Sequence, residues 1–220
     1  MLNFLKTLFI KKKPVVSAAE PVQTAPLTDE QMGSIEIPHV YNPPQILVGT
    51  SQSVGVQRDH NEDTLYALSS VLAEGKSAVP FGIFIVADGM GGHQYGEIAS
   101  GVAARTMSEY ILSGLYLPYL SPNGSQAIES MQELMEKGVR EAQQAVRRHA
   151  PGGGTTLTAV VILGEQVTYA HVGDSRAYLV HPEGRLVAIT QDHSLVRRLV
   201  ELGQITEEQA INHPNKNVLY

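Results

Sequence analysis

Apolar residues gather in short stretches, run together without a break, or recur every three to four positions in different parts of the chain. Ile46–Gln57 and Thr64–Ser69 are short stretches that read as strands. Phe81–Ala87 (Phe-Gly-Ile-Phe-Ile-Val-Ala) is an unbroken run with no polar side chain, which predicts a strand covered on both faces. Ile98, Val102, Met107, Tyr110 and Ile111 then predict a helix. Between Ser125 and His149, Ile128, Met131, Met135, Val139, Ala142 and Val146 step by three or four, a helical stripe that reads as core packing. Four strands follow, Thr155–Leu163, Gln166–Val172, Arg176–His181 and Arg185–Ile189. Gly164-Glu165 and Pro182-Glu183-Gly184 are the turns of antiparallel hairpins within this meander. Ser194–Leu202 is a helix that stops at Gly203, and Thr206-Glu207-Glu208-Gln209 is a capping box opening a last short helix. Helices segregated from mainly antiparallel strands make this an α+β chain.

Residues 1–45 lack this texture. They carry Pro14, Pro21, Pro26, Pro38, Pro43 and Pro44, half of the chain's twelve prolines, and no sustained period. A disordered tail at 1–45 and a folded unit at 46–220 are therefore expected. Met1–Ile10 is mostly apolar and precedes Lys11-Lys12-Lys13, the reverse of the order in a secretory signal. Residues 1–13 are open to two readings, a weak membrane-surface contact or a leader without that role.

Charge narrows the partners. Of 220 residues, 16 are basic and 22 acidic; residues 1–13 hold four lysines and no acid, so the remainder has 12 bases against 22 acids, a net of −10. An acidic body excludes nucleic acid as the main partner, since phosphate-backbone binding needs a basic surface. There is no cysteine, which excludes disulfides, thiolate zinc and cysteine nucleophiles. No apolar run approaches the ~20 residues of a spanning helix, and a soluble, cytoplasmic chain is expected.

Three acidic clusters are candidates for chemistry: Arg58-Asp59-His60-Asn61-Glu62-Asp63 between two strands, Asp88-Gly89-Met90-Gly91-Gly92-His93 at the end of the apolar strand, and Gly173-Asp174-Ser175-Arg176 within the meander. An aspartate ending an apolar strand needs a partner. A hard cation bound by Asp88, the Gly89 carbonyl and Asp63 would serve, and so would simple turn capping; spacing leaves both open. Gly152-Gly153-Gly154-Thr155-Thr156 lacks the Gly-Lys-Ser/Thr ending of a phosphate loop and leads into a strand instead of a helix. Gly173-Asp174-Ser175-Arg176-Ala177 approximates a serine-nucleophile elbow but also continues as strand. An Asp174–Arg176 pair bracing a tight hairpin is the favoured reading of that segment.

Six segments in order resemble the metal-dependent protein phosphatase 2C family in its bacterial form. They are Arg58 with Asn61-Glu62-Asp63; Val86-Ala87-Asp88-Gly89-Met90-Gly91-Gly92-His93; Gly154-Thr155-Thr156-Leu157-Thr158-Ala159; Gly173-Asp174-Ser175-Arg176-Ala177-Tyr178; Thr190-Gln191-Asp192-His193-Ser194-Leu195-Val196; and His213-Pro214 with Asn217. The resemblance implies an α-β-β-α sandwich of two antiparallel sheets flanked by helices, with a dinuclear manganese or magnesium centre. It implies that Asp63 and Asp88 are metal ligands, that the Gly89 carbonyl joins them, and that Glu62 acts through a water. It implies that Arg58 grips the substrate phosphate and that a metal-activated water attacks phosphorus without a phosphoenzyme. The activity implied is that of a protein serine/threonine phosphatase, whose partners are phosphorylated proteins and the kinase that modifies them.

Three departures qualify these expectations. Met90 stands where some members have a histidine as general acid, which leaves His60, His93 or metal-bound water. Ala150-Pro151-Gly152-Gly153 replaces a stretch that often carries an aspartate for a third ion. The last aspartate is Asp192, whereas the family has two further metal aspartates nearer its C-terminus. A domain incomplete at its C-terminus, lacking its last strands, is therefore expected. The alternative is a non-catalytic pseudophosphatase or phosphopeptide-binding module.

Overall fold

The apolar run at Phe81–Ala87 belongs to a longer strand that organises the sheet. The computed structural model describes residues 43–56, 60–74, 77–91, 94–121 and 130–220. Nearly all of the expected tail at 1–45, including the 1–13 segment, lies outside the described residues, as do Arg58 and His93. Residues Asn42–Tyr220 form one unit.

Strands β1 (Thr64–Glu74) and β2 (Ser77–Ala87) pair antiparallel along their whole length. β3 (Gly89–Met90) and β4 (Gly154–Thr155) form a short ribbon. β5 (Leu157–Leu163) and β6 (Gln166–Val172) complete a four-stranded sheet in the order β1-β2-β5-β6. A second hairpin joins β7 (Tyr178–Val180) to β8 (Leu186–Ala188). The α+β class and the antiparallel sheets agree with expectation.

Alternation along β2 decides where the core lies. Phe81, Ile83, Ile85 and Ala87 are buried beneath two helices, α1 (Gln94–Ile111) and α2 (Met131–His149). Ala99, Ala103, Ala104 and Met107 of α1 and Leu134, Met135, Ala142 and Val146 of α2 meet them there. The intervening β2 side chains point the other way, and Val86 on that face is 43% exposed. The run is thus covered completely on one face only. It lacks polar residues because the opposite face is also apolar: Val160 and Ile162 of β5 lie beside Phe84 and Gly82, with Tyr169 and Val167 of β6 next in register. Ile85→Ala, which empties the helix-facing core, is expected to cost about 2–5 kcal/mol. Val86→Ala is expected to stay within about 1 kcal/mol. Urea unfolding of the two variants measures the difference.

Capping secures α2. Ser130 accepts from the Glu133 amide while the Glu133 side chain accepts from the Ser130 amide, and Glu133 and Arg147-Arg148-His149 match the two ends of the helix dipole. Helix α1 continues into a wide turn at Leu112–Tyr116, where the Leu117 amide reaches back to the Leu112 carbonyl. This turn just precedes Pro118, which has no amide to offer an α-helical ladder. Tyr116 fastens it to the sheet, its ring stacked on Phe81 at 4.4 Å and its hydroxyl donating to Ser70 Oγ at 2.9 Å. The predicted end helices are present as α3 (Leu195–Glu201), capped by Ser194, and α4 (Glu207–Ile211), opened by the Thr206–Gln209 capping box.

Two expectations fail. Ile46–Gln57 forms no strand over its described residues: Leu47 is 92% exposed and Val56 fully so. It is anchored by side-chain hydrogen bonds instead, the Ile46 carbonyl accepting from Ser69 Oγ at 3.0 Å and Gln52 Nε2 donating to the Asp63 carbonyl at 3.3 Å. The meander is also broken in the middle: both predicted hairpins form, β5–β6 around Gly164-Glu165 and β7–β8 around Pro182-Glu183-Gly184, but they lie in separate sheets.

Candidate functional site

The β1–β2 ladder ends at Thr64↔Ala87. The next residues outward are Asp63 and Asp88, which therefore stand side by side at one end of the sheet. Cross-strand neighbours at such a position lie about 4.5–5.5 Å apart at Cα. Both side chains are exposed. The premise that Asp88 is buried at its strand end is therefore corrected, because the strand delivers it to the rim.

Immediately beyond, the chain is packed without slack. A Cβ on Gly89 would lie 2.2 Å from the Gly96 carbonyl oxygen and 2.6 Å from that of Glu62. Glu62 is buried, 7% exposed. Its carboxylate lies against Gly96 in the first turn of α1 and 3.3 Å from His60 Nε2. Ser100, fully buried in α1, donates to the Glu62 carbonyl at 2.6 Å and meets Thr64 Oγ1 at 3.0 Å. Helix α1 thereby braces the entry to β1. Nothing in the local pattern marks Ser100, because a serine in mid-helix reads as a solvated position.

On the other side of Asp88 stand the two motifs left without a role. Thr156, 1% exposed, accepts from the Asp88 amide through Oγ1 at 2.9 Å. The Thr156 amide in turn donates to the Asp88 carbonyl at 2.9 Å. The same Oγ1 meets Ser175 Oγ at 2.7 Å. Ser175 thus faces a threonine hydroxyl and not an imidazole, which removes the serine-nucleophile reading. The glycine-rich stretch enters β4 and β5 with no helix behind it, which removes the phosphate-loop reading.

The expected Asp174–Arg176 pair is not formed. Arg176 makes two hydrogen bonds to Asp192, Nε to Oδ1 at 2.7 Å and Nη2 to Oδ2 at 2.6 Å, while Asp174 is exposed. The guanidinium instead reaches the segment before α3. The Arg176 hydrogen bonds hold the Asp192 carboxyl below the usual carboxylate range, against the opposing effect of its partial burial. A carboxyl lowered on folding stabilises the fold above its unfolded pKa and loses that contribution as pH falls through the folded value. The stability difference between wild type and Asp192→Asn should therefore hold constant from pH 7 to 5 and shrink below about pH 4. With Arg176 half exposed it should not exceed about 1 kcal/mol, readable by urea unfolding at stepped pH.

His171 ties the same segments together. Burial, then the His193 ring 5.0 Å away, push it below the ordinary imidazole range. The neutral ring donates from Nε2 to the Gln191 carbonyl at 3.1 Å, and Nδ1 lies 2.9 Å from Thr158 Oγ1. Thr158 Oγ1 also donates to the Ser175 carbonyl at 2.9 Å.

The donor set fits a hard divalent cation in kind. Asp63 and Asp88 present carboxylate oxygens with main-chain oxygen beside them, which suits magnesium or manganese and not a thiophilic ion. Among the described residues no group of three or more His, Cys, Asp or Glu that could hold a metal ion converges. Arg58, the expected phosphate-binding residue, and His93 lie outside the described residues. Also among the described residues, no helix is long and apolar enough to cross a membrane.

Comparison with known proteins covers the same stretch. The family model for Protein phosphatase 2C matches residues 57–215. The serine/threonine phosphatase stp of Listeria welshimeri is 37% identical over 168 residues, covering 74% of this chain and 60% of that protein. The structure of the S. agalactiae serine/threonine phosphatase superposes with a TM-score of 0.56 at 34% identity, over 76% of this chain and 64% of that one. The catalytic domain of the serine threonine protein phosphatase PstP, solved with two manganese ions, gives a TM-score of 0.51 at 31% identity, over 71% and 60%. The chain spans about 60% of the length of the curated stp relative it matches.

Proposed function

The chain belongs to the protein phosphatase 2C family, and from that premise we propose that it acts as a metal-dependent protein serine/threonine phosphatase on phosphoserine and phosphothreonine. The observation that supports this reading is that the β1–β2 register leaves Asp63 and Asp88, acids from two different strands, at neighbouring positions at one sheet end. Manganese or magnesium is the cofactor of this reading, in line with the two manganese ions in the PstP structure.

Asp63 and Asp88 would hold the cation, with the Gly89 carbonyl beside them. Such a cation supplies Lewis acidity and a water that is nucleophilic near neutral pH. Glu62, buried against the first turn of α1 and paired with His60, would orient water at the rim through its hydrogen bonds. Arg58 would bind the substrate phosphate, since a guanidinium matches the oxygens of a phosphate two at a time. His60 is a candidate for protonating the leaving serine or threonine oxygen. The substrates would be phosphorylated cytoplasmic proteins, the targets of a serine/threonine kinase. The folded unit of this reading is 46–220, preceded by a tail at 1–45.

Hydrolysis of a phosphothreonine peptide by the 220-residue chain tests the reading. Phosphate release should require manganese, stop on chelation and return when manganese is restored. Binding of the phosphopeptide without metal and without hydrolysis would replace it by a phosphopeptide-binding module.

A further inference from the structure

Two sequence motifs, Gly154-Thr155-Thr156 and Gly173-Asp174-Ser175-Arg176, have no part in the chemistry above, yet both converge on the main chain of one residue. β2 pairs with β5, and β3 pairs with β4, in a single continuous register. The ladder is interrupted where Asp88 faces Thr156. At that break the main chain of Asp88 is gripped from both ends. Its amide donates to Thr156 Oγ1 at 2.9 Å. Its carbonyl accepts from the Thr156 amide at 2.9 Å and from Thr155 Oγ1 at 3.0 Å. The side chain of the same aspartate stands exposed.

The grip has a second layer. Thr156 Oγ1 lies 2.7 Å from Ser175 Oγ, and the Ser175 carbonyl accepts from Thr158 Oγ1 at 2.9 Å. Gly173 makes this approach possible. Its φ is +106°, and a Cβ there would lie 2.6 Å from Thr156 Cγ2. The loop from Gly173 to Ser175 therefore closes over Thr156 only because its first residue has no side chain.

From this geometry we infer that Thr156, backed by Ser175, is a positioning residue for Asp88: it sets the direction of the carboxylate toward the cation without touching the cation. The inference rests on the metal role of Asp88 in the proposed function. The physical reason is that a carboxylate is aimed by the main chain that carries it. Fixing its own peptide on both sides leaves only its side-chain torsions to be ordered on binding. Groups that orient metal ligands at one remove typically change metal affinity about 10–100-fold when lost.

Titration calorimetry with manganese alone, on the full 220-residue chain, tests this. Thr156→Val keeps the shape and deletes the hydroxyl; it should weaken manganese binding by about 10–100-fold. Thr156→Ser restores the hydroxyl and should return the affinity to within about threefold of wild type. Thermal unfolding in chelator separates positioning from stability. A purely structural role would lower the melting temperature of Thr156→Val and leave the manganese affinity of the folded chain unchanged, which would overturn the inference. If Thr156→Val does not fold, Ser175→Ala decides: weaker binding supports the inference, and wild-type affinity overturns it. Failure of the wild-type chain to bind manganese would overturn the proposed function and this inference together. Wild-type affinity in Thr156→Val would overturn this inference alone.

Discussion

Asp88→Asn should remove manganese-dependent hydrolysis, lowering turnover of a phosphothreonine peptide by on the order of 100-fold or more, and yet leave the metal-free fold as stable as before. The two halves of this result have one cause. Asp88 is exposed, and its contacts with Thr156 and Thr155 run through its main chain, which an asparagine preserves. In the absence of metal, a neutral amide of the same shape at this exposed position changes the stability little. With manganese the two chains diverge. At a concentration of about 100 times its dissociation constant, a ligand specific for the native state adds about 2.7 kcal/mol of stability. The wild type should show that gain and Asp88→Asn should not. Melting temperatures with chelator and with manganese give both readings. A variant that retains hydrolysis, or that still gains stability with manganese, would remove Asp88 from the site.

Gly89→Ala is the second large effect, and it acts through crowding. A Cβ at this position would meet the Gly96 carbonyl carbon at 2.5 Å, besides the Gly96 and Glu62 oxygens. All three are backbone atoms, so no side chain can swing aside. The start of α1 or the entry to β1 must shift, carrying Asp63 with it. The expected cost is about 3 kcal/mol or more, at the upper end for overpacking, or a fall of about 6–12 °C in melting temperature for a unit of this size. Gly184→Ala is the control. It sits in the β7–β8 turn at φ +84° with nothing within 4 Å of the added atom, so it should lose only about 1 kcal/mol through its left-handed backbone. Comparable losses in the two variants would mean that the approach of α1 to Gly89 is not as close as described.

How far the chain could be read before folding differs from one segment to another. Helix α2 was legible because its apolar stripe is local, and the β5–β6 hairpin because the Gly164-Glu165 turn is; the Ser130–Glu133 box that caps α2 was not read in the sequence. The capping box at Thr206 was legible because it too is local. The Ile46–Gln57 segment misled because a short stretch rich in valine and isoleucine shows only that a strand is locally acceptable. A strand also needs an edge to pair with, and this segment meets β1 and its entry through side-chain hydrogen bonds, from Ser69 to the Ile46 carbonyl and from Gln52 to the Asp63 carbonyl. The candidate ligands Asp63 and Asp88 were legible as members of a family pattern, and so was Thr156, though not the atom it meets, whereas Ser100 and Gly96 were not legible. Their importance lies in which atom they meet, and each would pass for an ordinary residue of its strand or helix.

The sequence by itself determined the local elements, the turns, the absence of thiol chemistry and, through six ordered segments, the family. Tertiary structure decided partnership. It joined Arg176 to Asp192 instead of Asp174, set Asp63 beside Asp88 through the β1–β2 register, and closed Gly173–Ser175 over Thr156. The physical reason is range. Backbone dihedrals and amphipathic faces are set by neighbours within one or two turns of chain, and so leave a periodic trace in the sequence. Which hydroxyl meets which amide across 68 residues, as Thr156 meets Asp88, is settled only when strand register and helix packing bring the two together.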